Sequence, residues 1–264
     1  MHDTAVTCTM VGKVASIRLN RPDQGNTLTL DLLDALHAQL LAAACDPAVR
    51  AVVLSAEGTD FSLGGDFNDF ADALSQDERH CRLQCKIRTG ALARVIAGLQ
   101  DLEVPTIAAV NGQAAGAGFS LSLACDMRLV EPRTRFNLAY GALGASPDGG
   151  MTWLLPRIVG RGKALRWLLD QPIIRASSAV DAGLAHEVIQ EGALLEEAIA
   201  LAAQFAADAA HPHAAVKRLL RGSEARDLRE HMEFEHTIFV EGLMSDDMKA
   251  ALDARARGGA PVFE

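Results

Sequence analysis

Apolar and polar positions first alternate and then take up helical spacing along the chain. Residues 15–19 alternate after a turn at Gly12, which predicts a half-buried strand in an opening antiparallel hairpin. From Thr29 onward, leucines recur at helical spacing until Asp46-Pro47 ends the pattern, and this predicts an amphipathic helix. The leucines of that pattern are Leu32, Leu33, Leu36, Leu40 and Leu41.

Continuous apolar runs then alternate with helical segments. Residues 51–54 and 106–110 are short apolar runs, typical of strands covered on both faces, and residues 127–130 predict a further strand. Residues 76–100 between them predict a helix, so the order of elements indicates an α/β fold. After about residue 193 the pattern is almost wholly helical. No internal repeat or long linker divides the chain, which favours one cooperative unit.

Composition narrows the class of protein. The chain has 264 residues with 49% hydrophobic content, enough to bury a large core. The formal charge is −9 and the basic residues are scattered, so we expect no nucleic-acid partner. No apolar run approaches the ~18 residues that a membrane span requires, so we expect no membrane partner. An odd number of cysteines (five) and no signal-like opening segment predict a cytoplasmic protein without a disulfide framework.

Two turns rich in small residues carry the candidate chemistry. Residues 61–66 and 111–118 each place small residues directly after an apolar β-like run, where bare backbone N–H groups can approach a ligand. Two such donors aimed at one carbonyl form an oxyanion hole, which indicates acyl chemistry. A dinucleotide fingerprint is not favoured, because Leu121 stands where a third glycine or alanine is needed.

These motifs resemble the crotonase (enoyl-CoA hydratase/isomerase) superfamily. Residues 107–112, 116–118 and 124–126 carry the resemblance, with supporting motifs over nearly the whole chain. The resemblance implies a crotonase-like spiral of ββα units over residues 1–195 and a C-terminal helical oligomerisation region over residues 196–264. It also implies homotrimers or dimers of trimers and acyl-CoA thioester substrates. Coenzyme A enters as part of the substrate, with no separate cofactor and no metal.

The resemblance also assigns roles at the reacting centre. The two oxyanion donors fall on the backbone N–H groups of Gly65 and Ala117. The two glutamates of the hydratases fall on Ser120 and Tyr140, which cannot replace a carboxylate near neutral pH. Asp148 lies instead in a loop that resembles the one supplying the single acid in ring-epoxide and Δ3,Δ2-enoyl-CoA isomerases. We therefore expect an acyl-CoA isomerase that moves a double bond or rearranges a ring through an enolate.

The resemblance further predicts the residues that bind the rest of the substrate. The backbone of residues 62–67 is expected to face the thioester and the adenine end of coenzyme A. Basic side chains near Arg18 and Arg21, with a neighbouring subunit, are expected to meet the phosphates. The predicted binding residues are Arg18, Arg21, Asn26, Ser62, Leu63, Gly64, Asp66, Phe67, Gly116 and Tyr140. Among them, Asp66 is expected mainly to cap a helix. The helix from residue 70 to residue 100 is expected to supply part of the wall of the acyl pocket.

Several alternatives stay open at this point. One alternative is a hydratase whose catalytic acids stand at other positions. Another is a catalytically silent relative that binds acyl-CoA. A 4-chlorobenzoyl-CoA dehalogenase is disfavoured, because Ala97 occupies the position expected for its histidine, although Asp148 is a possible nucleophile. If Asp148 is not catalytic, it serves only as a turn former or as a helix cap. Phe234, Ile238 and Leu243 form either an oligomer contact or core.

Overall fold

Nine strands form two sheets in the computed structural model, which describes residues 4–263. The main sheet has six strands in the order β1-β2-β3-β4-β6-β9, and a small sheet has the order β5-β7-β8. The strands are β1 (Val6–Val11), β2 (Val14–Leu19), β3 (Ala51–Ala56), β4 (Thr106–Val110), β5 (Gln113–Ala115), β6 (Met127–Val130), β7 (Arg135–Asn137), β8 (Ile174–Arg175) and β9 (Glu187–Val188).

Eleven α-helices alternate with these strands and then dominate the C-terminal part of residues 4–263. They are α1 (Leu30–Cys45), α2 (Phe67–Leu74), α3 (Glu78–Asp101), α4 (Ala117–Ala124), α5 (Met151–Val159), α6 (Arg161–Asp170), α7 (Ala176–Asp181), α8 (Leu194–Ala207), α9 (Ala210–Gly222), α10 (Leu228–Leu243) and α11 (Asp246–Ala256). The mixed α/β prediction is confirmed. None of these helices is long and apolar enough to cross a bilayer.

The opening hairpin forms as predicted, but its second strand is more deeply buried than its alternation indicated. β1 pairs antiparallel with β2, and β2, β3, β4, β6 and β9 run parallel to one another. Ser16 on β2 is only 7% exposed, so the prediction of a half-buried strand is wrong. The reason is that β2 lies inside the sheet and α8 covers its second face.

Two apolar layers enclose the main sheet. On one face, α1 and α3 pack together over the strands, and the buried leucines of α1 belong to this core. The α1 pattern is confirmed except at Leu41, which is exposed. On the other face, Ala198 and Ala202 of α8 are fully buried against Val53 and Ile107. Small alanines let the helix approach the sheet closely, so α8 is part of the sheet core.

The last three helices lie beyond the sheet and leave apolar side chains uncovered. Lys217 on α9 pairs with Asp126 at 2.6 Å, which ties this helix to the body. Of the undecided apolar side chains, Ile238 is core, Phe234 is half-buried and Leu243 is exposed. The boundary between residues 195 and 196 stays a prediction, although α8 crosses it and packs on the sheet.

Candidate active site

The 61–66 turn is hydrogen-bonded to β5 of the small sheet. Ser62 N donates to Gln113 O at 3.1 Å, and Ala115 N donates to Ser62 O at 2.9 Å. These bonds make the turn a short extra strand beside β5, directly before α4 begins. The two turns predicted from sequence are therefore neighbours in space.

Glycine is required where the turn meets α4. Gly64 has φ +88°, and a Cβ built there would lie 2.5 Å from Ala115 O and 3.3 Å from Ala117 N. A Cβ on Gly118 would lie 2.5 Å from Ser62 O. The two distances of 2.5 Å are shorter than real Cβ contacts, so only glycine permits this approach. The glycines thus allow the backbone of the 61–66 turn to approach the start of α4.

The Gly65 and Ala117 amides are free and share one cavity with Asp148. Neither amide nitrogen donates a hydrogen bond within residues 4–263. Ala117 begins α4, so the positive end of the helix dipole adds to its N–H group. Gly65, Ala117 and Asp148 all line a small cavity of about 30 Å³. The structure therefore brings the predicted oxyanion donors and the predicted acid together.

Asp148 is held by the two residues that occupy the hydratase glutamate positions. Tyr140 Oη donates to Asp148 Oδ1 at 3.0 Å. Ser120 Oγ donates to the main-chain oxygen of Asp148 at 3.0 Å and lies 3.4 Å from Tyr140 Oη. α5 begins after Gly150 without a side-chain cap, so the alternative that Asp148 caps this helix is wrong.

Burial makes this carboxyl group more basic than an exposed aspartate. Desolvation raises the pKa of Asp148, and the hydrogen bond from Tyr140 acts against that shift. Desolvation, followed by the nearby charge of Asp148, also raises the pKa of Tyr140 well above its usual range. Tyr140 therefore stays protonated and acts as a hydrogen-bond donor. Of these two groups, Asp148 is the more acidic.

Two of the predicted binding residues support the turn from beneath. Asn26 is fully buried; its side chain accepts from Arg21 N at 2.9 Å and donates to the carbonyls of Glu57 and Asp60, each at 2.9 Å. Ser62 is also fully buried, and its Oγ donates to Asn26 O at 2.8 Å. In this structure their side chains hold the turn in place and do not reach the cavity.

The remaining predicted binding residues lie around the turn. Arg18 pairs with Glu57 at 2.6 Å and Arg21 lies 3.6 Å from Asp31. Asp66 caps α2 as expected, because its carboxylate accepts from Asn68 N at 2.8 Å. Leu63 and Phe67 are exposed on the surface, and Gly116 N donates to Asn137 O next to the start of α4.

The wall of the cavity comes from two helices where the sequence predicted one. We expected a helix over residues 70–100 to supply part of the wall; α2 and α3 both supply it, separated by Asp77, which caps α3. The lining residues that were not among the predicted site residues are Leu28, Leu33, Asp69, Phe70, Arg88, Thr89 and Leu92. Arg88 stands at helical spacing from buried Leu92 and Ile96, and this was the available signal.

Ala97 does not face this cavity, which corrects its use as the dehalogenase histidine position. It is exposed and lines a different groove beside His37 and Arg94. Arg88, Thr89 and Leu92 are the α3 residues that line the Asp148 cavity, and no histidine among residues 4–263 lines it. Within residues 4–263 no group of three His, Cys, Asp or Glu side chains could hold a metal ion.

Comparison with known proteins agrees with the geometry. The model of the enoyl-CoA hydratase/isomerase family matches residues 9–264. The 4-chlorobenzoyl coenzyme A dehalogenase-2 of Arthrobacter sp is 33% identical, over 84% of this chain and 79% of that protein. The 2,3-dehydroadipyl-CoA hydratase of Escherichia coli K12 is 32% identical, over 96% and 95%.

A solved structure shows that the architecture is also shared. The crystal structure of an enoyl-CoA hydratase from Polaromonas sp. JS666 has a TM-score of 0.90 and 30% identity, covering 97% of this chain and 98% of that chain. The predicted crotonase-like α/β fold is thereby confirmed. Fold, site and sequence agree, and the chain belongs to the enoyl-CoA hydratase/isomerase family.

Proposed function

We propose that this protein is an acyl-CoA isomerase with Asp148 as its single acid/base. The observation that carries the proposal is that Asp148 shares a cavity with two free amides and, of the three carboxylates there, neither caps a helix nor pairs with an arginine. The family resemblance assigns Ser120 and Tyr140 to the two hydratase glutamate positions. One carboxylate suffices for a shift of a double bond, because the same group removes and returns the proton.

The reaction proceeds through an enolate. Asp148 removes a proton from the α carbon of a 3-enoyl thioester, and the electron pair moves onto the thioester oxygen. The N–H groups of Gly65 and Ala117 stabilise that oxyanion, each donor contributing about 2.7–4 kcal/mol in comparable sites. Asp148 then returns the proton to the γ carbon and leaves the double bond between the α and β carbons. Tyr140 donates to Oδ1 throughout, so Oδ2 is available for the proton.

A hydratase is the second candidate, because two of the relatives reported above are named hydratases. Hydration uses two carboxylates. The other two in the cavity are engaged, since Asp66 caps α2 and Asp69 pairs with Arg88 at 3.2 Å. A dehalogenase, suggested by the name of the Arthrobacter relative, would find no histidine base at this cavity among residues 4–263. These observations favour isomerisation.

The proposal includes the surroundings of the site. Arg18 and Arg21 meet the phosphates of coenzyme A together with a neighbouring subunit, and the protein assembles as a homotrimer or a dimer of trimers. Coenzyme A is present only as part of the substrate, and no metal or further cofactor takes part. The five cysteines, all free thiols, are compatible with the proposed cytoplasmic location.

An assay of double-bond movement tests the proposal. A trans-3-enoyl-CoA is expected to become its 2-enoyl isomer, followed by the ultraviolet absorbance of the conjugated thioester. Asp148→Asn is expected to lower turnover by a factor of about 10²–10⁴ while acyl-CoA binding is retained. Asp181→Asn, an exposed aspartate on α7, is the matched control.

Other outcomes distinguish the alternatives. Equal rates in Asp148→Asn and the parent would remove Asp148 from the mechanism. Hydration of crotonyl-CoA alone would establish the hydratase, and chloride release from 4-chlorobenzoyl-CoA the dehalogenase. Binding with neither turnover nor exchange of α protons with solvent deuterium would establish a silent relative.

A further inference from the structure

Arg88 brings an unpaired hydrogen-bond donor to the cavity wall. It lies on α3 and lines the same cavity as Asp148, and its side chain is 22% exposed. Its Nε donates to Asp69 Oδ2 at 3.2 Å. Its Nη1 is buried and has no hydrogen-bond partner within residues 4–263. A charged donor is therefore buried at the acyl site without an acceptor.

Such a donor is costly unless something accepts from it. A buried donor left unpaired loses the hydration it had in water, and the loss is larger for a charged group. The carboxylates that line the cavity do not supply the acceptor in this structure, because Nη1 has no partner and Asp69 takes only Nε. A group that enters the cavity would supply one.

The position of Arg88 indicates which part of an acyl group reaches it. Leu92 borders the loop of Asp148, since a Cβ on Gly149 would lie 3.0 Å from its Cδ2. Arg88 precedes Leu92 by one turn of α3, or about 6 Å along the helix axis. The acceptor is thus expected about one helical turn away from the carbons that react at Asp148, on the side of the cavity that α2 lines.

We propose that Arg88 recognises a carboxylate at the far end of the acyl group, so that the substrates are coenzyme A thioesters of dicarboxylic acids. The inference rests on the proposed function, which seats the thioester at Gly65 and Ala117. Guanidinium prefers a carboxylate over a neutral oxygen because the bond is charge-assisted and can be bidentate. Asp69 keeps its bond to Nε while the incoming carboxylate takes Nη1.

Binding of unreactive thioesters tests this specificity without any turnover. Adipyl-CoA and hexanoyl-CoA have equal chain length and differ by the terminal carboxylate, and calorimetric titration gives the ratio of their affinities. The wild-type protein is expected to favour adipyl-CoA by ten- to hundredfold, as for hydrogen bonds to charged groups. Arg88→Met is expected to bring the ratio to about one.

Two further variants test the charge argument. Asp69→Asn removes the carboxylate that shares the guanidinium and is expected to raise the preference for adipyl-CoA severalfold. Arg82→Met, on an exposed turn of the same helix, is the control, and it should leave the ratio of the two affinities at its wild-type value. Thermal melting confirms that each variant is folded.

The proposal is overturned if the wild-type protein binds hexanoyl-CoA as tightly as adipyl-CoA, a result that needs no variant. Retention of the wild-type ratio by folded Arg88→Met would overturn it as well. The isomerase proposal can fail separately. Selective binding of adipyl-CoA without double-bond movement would contradict the isomerase proposal and support the specificity. Isomerisation of neutral thioesters without any preference for adipyl-CoA would support the isomerase and contradict the specificity.

Discussion

The bond between Tyr140 and Asp148 sets the pH at which this carboxyl group becomes a base. Burial raises the pKa of Asp148, and the hydrogen bond from Tyr140 lowers it. A carboxyl group acts as a base only when it is deprotonated, so the rate should rise with pH through its pKa. Tyr140 is therefore expected to extend the activity of the proposed isomerase toward lower pH.

Tyr140→Phe is predicted to move the acid limb of the kcat/KM profile to higher pH. The change removes the hydrogen bond that stabilises the carboxylate, so the pKa of Asp148 rises further. At a fixed pH on the acid limb, the rate is expected to fall roughly tenfold, the scale of one bond to a charged group. Initial rates across pH measure the limb.

Ser120→Ala is the comparison for this prediction. Its Oγ bonds the main-chain oxygen of Asp148 and not the carboxylate, so the position of the limb should stay near that of the parent. An unmoved limb in Tyr140→Phe would show that the tyrosine does not act on the protonation of Asp148.

The site residues that the sequence motifs predicted are those whose role depends on the conformation of the backbone. Gly65 and Ala117 could be placed because glycine is required where the turn meets α4, and this requirement leaves a trace in the sequence. Asn26 and Ser62 belong to the same motif but support the turn from within, since a motif does not say which way a side chain points. Arg88 was missed because its place depends on how α3 packs.

At the scale of elements, α2 closes over the oxyanion site. A Cβ on Gly65 would lie 2.7 Å from the Phe70 ring, so this ring packs directly against Gly65. A cavity of about 30 Å³ is far below the ~300 Å³ of typical ligand pockets. An acyl thioester therefore requires the Phe70 side chain, or α2 as a whole, to move.

Phe70→Ala is predicted to speed the association of acyl-CoA. Removing the ring leaves the Gly65 amide open before the ligand arrives, so the cost of displacing it disappears. Stopped-flow mixing with a saturated acyl-CoA should show an association rate constant severalfold above that of the parent. Leu74→Ala, on an exposed part of the same helix, is the matched control. An unchanged rate constant would show that α2 does not gate the site.

The elements themselves were predicted where local signals exist. α1 has a capping Thr29 and buried leucines at helical spacing, and its bounds agree with the expected pattern. The 70–100 segment was treated as continuous in predicting the wall, although Asp77 caps a new helix after Ser75. Burial of β2 on both faces depends on α8, which lies far away in sequence, so alternation alone could not reveal it.

At the scale of the whole molecule, the helical C-terminal part has two different tasks. α8 buries its alanines on the main sheet, whereas α10 and α11 leave large apolar side chains exposed. Helical periodicity in the sequence is the same in both cases, because it reports an apolar face and not the surface that covers it. The crotonase resemblance predicted the overall fold, but only the structure showed which surface α8 packs against.

The uncovered apolar side chains on α10 and α11 are where we expect the neighbouring subunit. Phe239 on α10 and Met244, directly after this helix, are 64% and 74% exposed, and apolar patches open to water mark interaction surfaces. Sedimentation equilibrium is expected to give three or six times the chain mass of 28.0 kDa. Phe239→Glu places a charge on this surface and should shift the protein toward single chains, whereas Arg229→Glu, exposed on the same helix, should not. A wild-type protein that sediments as a single chain would remove the subunit contact, and the coenzyme A phosphates would then have to be met by this chain alone.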